Sequence, residues 1–188
     1  QAGFNLSRQQ IFANEMGVTV FEEKPIYTPV AGYPVDNLVA LHFFADEEKR
    51  SWPKSHAVEV IEFLLATTKA KLLFLDTEDY FPLTDRIISC KDLSVEESSK
   101  YLWAAKFFIG VDSGWMHLAA ALDVSGLVLF GSTSPEMRIK GYRYLDAVFT
   151  PSECNNCFYR SCELDYDCMR SISPGMVIEK IKTEALLF

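Results

Sequence analysis

The chain has 188 residues, of which 49% are apolar and 23% are charged, and its formal net charge at pH 7 is -8. This length suits one well-buried domain, and the composition excludes a disordered chain, a collagen-like chain and a disulfide-dense miniprotein. The acidic balance argues against non-specific binding of nucleic acid, because such binding needs a basic surface. It leaves room for a phosphorylated small ligand, which one or two well-placed basic side chains can bind.

Targeting and membrane signals are missing from the sequence. No apolar run approaches the roughly 20 residues that a membrane-spanning helix needs, and the N-terminus lacks the basic and apolar regions of a signal peptide. The first residue is Gln1 rather than Met, so we expect the chain to be an excised part of a longer protein. These features, with the acidic charge and the clustered cysteines, predict a cytoplasmic location.

Short apolar runs alternate with amphipathic segments along the chain. A helix is predicted over residues 5–16, ending at Gly17, and the Pro-containing residues 22–35 are predicted to form a linker. Strands are predicted at residues 38–43, 71–75, 86–89, 107–111, 126–130 and 147–150. Helices are predicted at residues 54–68, 94–105 (opened by a Ser94–Glu97 capping box), 115–122 and 173–186. This order predicts a doubly wound α/β domain with a parallel sheet covered on both faces.

The turn Asp112-Ser113-Gly114 is the most informative stretch for ligand binding. It follows a predicted strand and opens a helix, and ligands of doubly wound sheets bind at this edge. Helix N-terminal amides suit an anionic or hydroxyl-rich ligand. Asp112 can accept from sugar hydroxyls, Gly114 allows close approach of the backbone, and His117 can face the same cavity. The simpler alternative is an Asp112 N-cap, a turn glycine and a partly buried histidine.

Four longer strings resemble a known family. Asp112-Ser-Gly-x-x-His-Leu-Ala-Ala-Ala-Leu122, followed by Leu129-Phe-Gly-Ser-Thr-Ser-Pro135, resembles the signature of the heptosyltransferases, glycosyltransferase family 9. Lys49-Arg-Ser-Trp-Pro53 is similar to the family's Lys-x-Trp-Pro element, with one additional residue. Cys168-Met-x-x-Ile-x-Pro174, before the last predicted helix, is similar to the family as well. The resemblance covers about residues 36–188.

The resemblance implies the fold and role of one half of an enzyme. The fold would be the Rossmann-like C-terminal domain of a GT-B glycosyltransferase, with residues 1–35 as the tail of the N-terminal half and the linker, and residues 36–188 as the nucleotide-sugar-binding domain. The implied reaction is inverting transfer without a catalytic metal, from ADP-heptose or a similar donor to a lipid A-core or other glycan acceptor. The family's acceptor site and catalytic carboxylate lie in the N-terminal half, so we expect this chain to bind donor without transferring sugar. The implied location is the cytoplasm, including a peripheral position at the inner face of the bacterial inner membrane.

Site residues are carried over from the family residue by residue. The donor-binding positions are Lys49, Glu78, Asp112, Ser113, Gly114 and His117, with Arg50 as an alternative to Lys49. Two departures stand out: Phe43-Phe44-Ala45 replaces the small polar residues that approach the phosphate, and Asp76-Thr-Glu-Asp79 replaces a Gly-rich turn. These departures favour an alternative function, in which the chain is a degenerate family member that acts as a non-catalytic binding or assembly module.

A second motif consists of cysteines in residues 154–168. Cys154, Cys157, Cys162 and Cys168 follow the spacing C-x2-C-x4-C-x5-C. A C-x2-C turn presents two thiolates to one tetrahedral ion, so the spacing predicts a structural zinc or iron site with four sulfur ligands. Free thiols and disulfides remain the alternatives, and a reducing compartment disfavours disulfides. Cys90 lies outside the cluster and is expected to be a small buried apolar residue.

Overall fold

The computed structural model describes Ala13, Glu15, Met16, Pro25, Tyr27, residues 31–151, Cys157 and residues 162–184. Ala13, Glu15 and Met16 are helical, as the prediction for residues 5–16 requires, and the remainder of that helix lies outside the described residues. Pro25, Tyr27 and residues 31–35 have no regular secondary structure, and the linker role of residues 22–35 stays a prediction. The other linker residues also lie outside the described part.

The described residues form one parallel sheet of six strands in the order β3-β2-β1-β4-β5-β6. The strands are β1 (Leu38–His42), β2 (Lys71–Phe74), β3 (Ile87–Ser89), β4 (Ala105–Val111), β5 (Gly126–Leu129) and β6 (Leu145–Val148). This is the doubly wound order, in which the direction of growth reverses between β1 and β4. The predicted fold class is confirmed.

Helices connect the strands and cover both faces of the sheet. They are α1 (Lys54–Thr67), α2 (Val95–Ala104), α3 (Gly114–Ala121), α4 (Pro135–Arg138), α5 (Asp167–Arg170) and α6 (Pro174–Glu184), and a 3-10 turn, η1, spans Glu48–Arg50. The short elements η1, α4 and α5 were not predicted, because three or four residues carry no helical periodicity. Residues 185–188, which include the predicted end of the last helix, lie outside the described residues.

The strands have apolar residues on both faces, because the sheet has a core on each side. In β1, Val39 and Leu41 pack in the core that contains α1 residues, while Leu38 and Ala40 pack in the opposite core with α3 residues. All five residues of β1 are buried. Such continuous burial is typical of a central parallel strand, and it explains why β1 was predictable as an uninterrupted apolar run.

Two strands begin earlier than the sequence predicted. β4 starts at Ala105, because Ala105 pairs with Leu38 before the exposed Lys106 interrupts the apolar run. β6 starts at Leu145, which pairs with Gly126. The exposed Asp146 interrupts the apolar pattern, so the sequence did not indicate the start of this edge strand.

Among the described residues, none of the helices has the length and apolar character needed to cross a membrane.

Candidate functional site

Three loops meet at the carboxyl edge of the sheet, where the strand order reverses. After β1, the Arg50 Nη1 atom donates to the main-chain oxygen of Asp112, which follows β4, at 2.8 Å. The Ser132 hydroxyl, which follows β5, donates to the main-chain oxygen of Lys49 at 3.3 Å. These contacts join the loops after β1, β4 and β5, and they position the predicted residues Lys49 and Asp112 at one edge.

Ser113, rather than Asp112, is the N-cap of α3. Its backbone is extended (φ -155°, ψ 176°), and its side chain makes no capping hydrogen bond. The alternative in which Asp112 caps the helix is therefore wrong. Gly114 is the first residue of α3, and a Cβ atom added there would have no heavy atom within 4 Å. Open space therefore lies beside the first turn of α3, which a ligand could enter.

The Asp112 carboxylate faces an arginine that sequence analysis missed. Arg138, at the end of α4, places its Nε atom 3.2 Å from Asp112 Oδ2. The N–H direction lies outside hydrogen-bond geometry, so Oδ2 has an ion pair but no hydrogen bond within the described part of the chain. Asp112 is only 2% exposed. The sequence contained one signal that could have found Arg138. Pro135 suits the first position of a helix, and Arg138 follows it by one helical turn.

His117 lies on α3, one turn after Gly114. Its Nδ1 atom is 2.6 Å from the hydroxyl of Tyr142, and the two rings meet edge to face with centroids 5.7 Å apart. Tyr142 therefore fixes the orientation of the imidazole ring. Sequence analysis missed Tyr142, because nothing in its surroundings distinguishes it from an ordinary core aromatic residue.

The loop after β1 is closed by Asp76, which follows β2. The backbone N–H groups of Phe43 and Phe44 donate to the Asp76 carboxylate at 2.9–3.2 Å. His42 Nδ1 lies 3.0 Å from Asp76 Oδ1. The next amide, that of Ala45, donates to the Ser51 hydroxyl at 3.0 Å. Three successive amides are thus satisfied within the chain, at the place where the family resemblance implies an approach to phosphate.

Tyr80 closes the same loop from the side of β2. Its ring stacks on Phe74, with centroids 5.1 Å apart, and meets Phe44 edge to face at 4.6 Å. Burial, and then the negative charge of Asp76, raise the pKa of the Tyr80 hydroxyl well above its usual value. The tyrosine is therefore neutral, and its ring packs against Phe44 and Phe74.

Lys49 and Arg50 both contact Glu47. Lys49 Nζ and Arg50 Nε lie 3.5 and 3.3 Å from Glu47 Oε2. Burial opposes ionisation of Glu47, but the charges of Lys49 and Arg50 outweigh it and lower the pKa of the carboxyl. The two predicted alternatives for the diphosphate contact are therefore both at this edge, and Arg50 contacts Asp112.

Glu78 is exposed in the loop after β2 and makes no hydrogen bond or ion pair within the described residues. Its neighbour Asp79 accepts from the Ser89 hydroxyl at 2.6 Å. The structure therefore places Glu78 at the predicted edge, but does not join it to the group around Asp112. Its role toward a ribose stays a prediction.

The cysteine segment lies against the loop after β5. The Cys157 N–H donates to the Ser132 carbonyl at 2.8 Å, and a Cβ on Gly131 would lie 3.2 Å from Cys168 Sγ. Cys162 Sγ accepts from a backbone N–H at 3.3 Å. No three potential metal ligands converge within the described residues. Cys154, the fourth predicted ligand, lies outside them.

The fold and its carboxyl edge are those of a doubly wound, ligand-binding α/β domain. Residues 32–166 match the sequence profile of glycosyltransferase family 9 (heptosyltransferase), and the chain therefore belongs to that family. It is similar to lipopolysaccharide heptosyltransferase 1 of Salmonella typhimurium, with 46% identity over 50 residues, which are 27% of this chain and 16% of that protein.

Two solved structures have a similar fold. One is the iron-containing dodecameric glycosyltransferase TibC of enterotoxigenic E. coli H10407, with a TM-score of 0.74 and 19% identity, covering 92% of this chain and 51% of that one. The other is TibC in complex with ADP-D-beta-D-heptose, with a TM-score of 0.74 and 20% identity, covering 89% and 50%. The chain thus spans about half the length of these structures.

Proposed function

We propose that this chain is the donor-binding part of an inverting heptosyltransferase, and that it binds ADP-heptose or a closely related nucleotide-sugar at the carboxyl edge of the sheet. Membership of glycosyltransferase family 9 supports the reaction class. The ADP-heptose complex of TibC, which has the same fold, supports the donor. The position and the chemistry of the site come from the residues of this chain.

The observation that carries the proposal is a concentration of unsatisfied buried polar atoms. Among the described residues, seven buried side-chain atoms have no hydrogen-bond partner, and three of these lie just after the carboxyl ends of β4 and β5. They are Asp112 Oδ2, which has only its ion pair with Arg138, Ser113 Oγ and Thr133 Oγ1. Each such group costs about 1–3 kcal/mol when left without a partner. A ligand rich in hydroxyl and phosphate groups would satisfy the ones it reaches.

The charges at this edge fit a diphosphate. Lys49, Arg50 and Arg138 are basic residues at the edge of a chain whose formal net charge is -8. In the proposed reaction an acceptor hydroxyl attacks the anomeric carbon, and the bond from that carbon to the diphosphate oxygen breaks. ADP leaves with the bonding electrons. Cationic side chains and the N-terminus of α3 would stabilise the charge that develops on the diphosphate.

By the same proposal, the half of the enzyme that binds the acceptor lies outside this chain. The base that takes the acceptor proton and the site for a lipid A-core or other glycan would belong to the N-terminal half. The chain alone would therefore bind the donor and transfer nothing. We place such an enzyme at the inner face of the bacterial inner membrane, where its acceptor would be made.

A second candidate is a degenerate family member that serves as a binding or assembly module. The closed loop after β1 favours it, because Asp76 occupies the amides of Phe43 and Phe44 that would otherwise approach phosphate. The open first turn of α3 at Gly114 favours the donor-binding function instead. The two candidates differ in whether nucleotide binds at all.

Thermal melting of the chain with ADP, UDP, GDP and ADP-heptose distinguishes them. A ligand at one hundred times its dissociation constant stabilises the folded state by about 2.7 kcal/mol. For a domain of this size we expect a rise in Tm of about 5–10 °C. The rise should be selective for ADP and ADP-heptose over UDP and GDP. No shift with any nucleotide would overturn the donor-binding function and leave the binding module.

We also propose that Cys154, Cys157, Cys162 and Cys168 hold one structural zinc or iron ion. The C-x2-C spacing and the position of Cys157 and Cys168 against the same loop support this, as does the iron content of TibC. Bound there, the ion would join the cysteine segment to the loop after β5 without an open coordination position. Reduced protein should contain about one equivalent of metal by elemental analysis. Cys157→Ser should lose it, and Cys90→Ala should retain it.

A further inference from the structure

Asp112 is held by two arginines that come from different loops. Arg50, in η1, donates to its main-chain oxygen at 2.8 Å, and Arg138, in α4, faces its carboxylate at 3.2 Å. Asp112 is 2% exposed, so its carboxylate is almost inaccessible while Arg138 lies beside it. A ligand at this edge would reach the guanidinium of Arg138 before it reached the carboxylate of Asp112.

Arg138 has unused hydrogen-bonding capacity. A guanidinium carries five N–H donors, and here only the Nε side faces a partner. The terminal nitrogens make no hydrogen bond within the described residues. The side chain is 24% exposed, so part of it remains open to solvent. When a buried carboxylate forms an ion pair at the Nε side of an arginine, the two terminal NH2 groups stay available and can bind an anion together.

The backbone donors of the loop after β1 are already occupied. The amides of Phe43 and Phe44 are bound by Asp76, and an anion at that place would meet a buried carboxylate. The amide of Ala45 is bound by Ser51. A diphosphate that avoids the loop after β1 must therefore use the α3 end of the edge, where Arg138 lies.

We infer that Arg138 is a specificity-determining residue of the donor site, which binds the diphosphate through its terminal nitrogens, and that Asp112 is a positioning residue that holds Arg138 in place. This inference rests on the proposed donor-binding function. It changes the expected role of Asp112, because the carboxylate acts on the ligand through Arg138 rather than by accepting from sugar hydroxyls.

Calorimetric titration with ADP and with adenosine tests the role of Arg138. Arg138→Gln should weaken ADP binding about 10- to 100-fold, the effect expected for a lost charge-assisted hydrogen bond. Adenosine, which has no phosphate, should bind within about threefold of its affinity for the unsubstituted chain. Arg143→Gln is the matched control, because Arg143 is exposed, lies five residues away and contacts only the Tyr144 ring among the described residues. It removes the same charge and should leave both affinities unchanged.

A double-substitution cycle tests the role of Asp112. If Asp112 acts through Arg138, Asp112→Asn should weaken ADP binding, but should add almost nothing to Arg138→Gln. If Asp112 contacts the sugar directly, the two losses should multiply for ADP-heptose. Multiplicative losses would overturn the positioning role.

The outcomes separate the two levels of the proposal. Failure of the unsubstituted chain to bind ADP would overturn the proposed function itself. Binding of ADP by the unsubstituted chain, with equal affinities in Arg138→Gln and Arg143→Gln, would overturn only the inference about Arg138.

If Arg138→Gln does not fold, as judged by its melting transition, Arg138→Lys replaces it. That variant keeps the charge without the planar fork and should lose at least about threefold in ADP affinity. Unchanged affinity there would overturn the inference.

Discussion

The two sides of the sheet edge differ in how far the chain satisfies its own polar groups. On the β1–β2 side, Asp76 binds the amides of Phe43 and Phe44, and Tyr80 fills the space beside them. On the β4–β5 side, the hydroxyls of Ser113 and Thr133 have no partner within the described residues. One side is therefore closed by contacts within the chain, and the other side keeps polar groups that the proposed donor would satisfy. Under the proposed function, the role of the loop after β1 toward the phosphate would pass to the loops after β4 and β5.

Removing Asp76 should have the largest effect, because it would open the closed side. Asp76→Ala leaves two buried amides without their acceptor and His42 Nδ1 without the carboxylate beside it, and removing one partner of such a buried charged group costs about 3–5 kcal/mol. Urea denaturation should show this loss in the free energy of unfolding. Asp79→Ala is the control, since within the described part of the chain the exposed Asp79 contacts only Ser89 and Lys91, and its loss should cost less than about 1 kcal/mol. Equal losses in both variants would show that Asp76 does not hold the loop.

An added methyl group at Gly131 should have the next largest effect on stability. A Cβ there would lie 2.5 Å from Met169 Sδ and 3.2 Å from Cys168 Sγ, and Met169 is fully buried. Overpacking of this kind costs about 1–3 kcal/mol. Gly131→Ala should lower the free energy of unfolding by this amount. A loss below about 0.5 kcal/mol would indicate that Met169 moves away readily, and that the cysteine segment is not tightly packed against the loop after β5.

Local rules predicted the elements of the fold well. The apolar run of β1 and the Ser173-Pro174 start of α6 were sufficient to identify those elements. Ser94 caps α2 as predicted, since its hydroxyl accepts from the Glu97 N–H at 3.1 Å. Glu97 does not complete the capping box, because its carboxylate binds the Tyr33 hydroxyl and Lys100 instead. The capping prediction was therefore correct for the helix start and wrong for the second hydrogen bond.

The site was less predictable, because its contacts depend on topology. Asp76 contacts Phe43, 33 residues away in the sequence. The pairing of Asp112 with Arg138 likewise joins loops that follow two different strands. Neither pair has a characteristic spacing, and the family pattern directs attention to Asp112 while leaving Arg138 outside the motif. Only the order of the strands in the sheet brings these residues together.

The smallest effect on stability, and the sharpest test of the open side, is expected from Gly114→Ala. A Cβ at Gly114 meets no atom within 4 Å, and alanine suits a helix better than glycine. The free energy of unfolding should therefore stay equal or rise by up to about 1 kcal/mol. The new methyl group would nevertheless occupy the space that a ligand needs to reach the first turn of α3. ADP binding should weaken by about 1–3 kcal/mol, a typical cost of overpacking.

Gly175→Ala provides the matched control for this last test. Gly175 lies in the first turn of α6, and a Cβ there would meet only Ser173 Oγ, at 3.8 Å. The same substitution in the first turn of another helix should thus have a similar effect on stability and no effect on ADP binding. Titration calorimetry on both variants, together with urea denaturation, separates the two properties. If Gly114→Ala bound ADP as tightly as Gly175→Ala, the ligand would not approach the N-terminus of α3, and the open side of the edge would need another explanation.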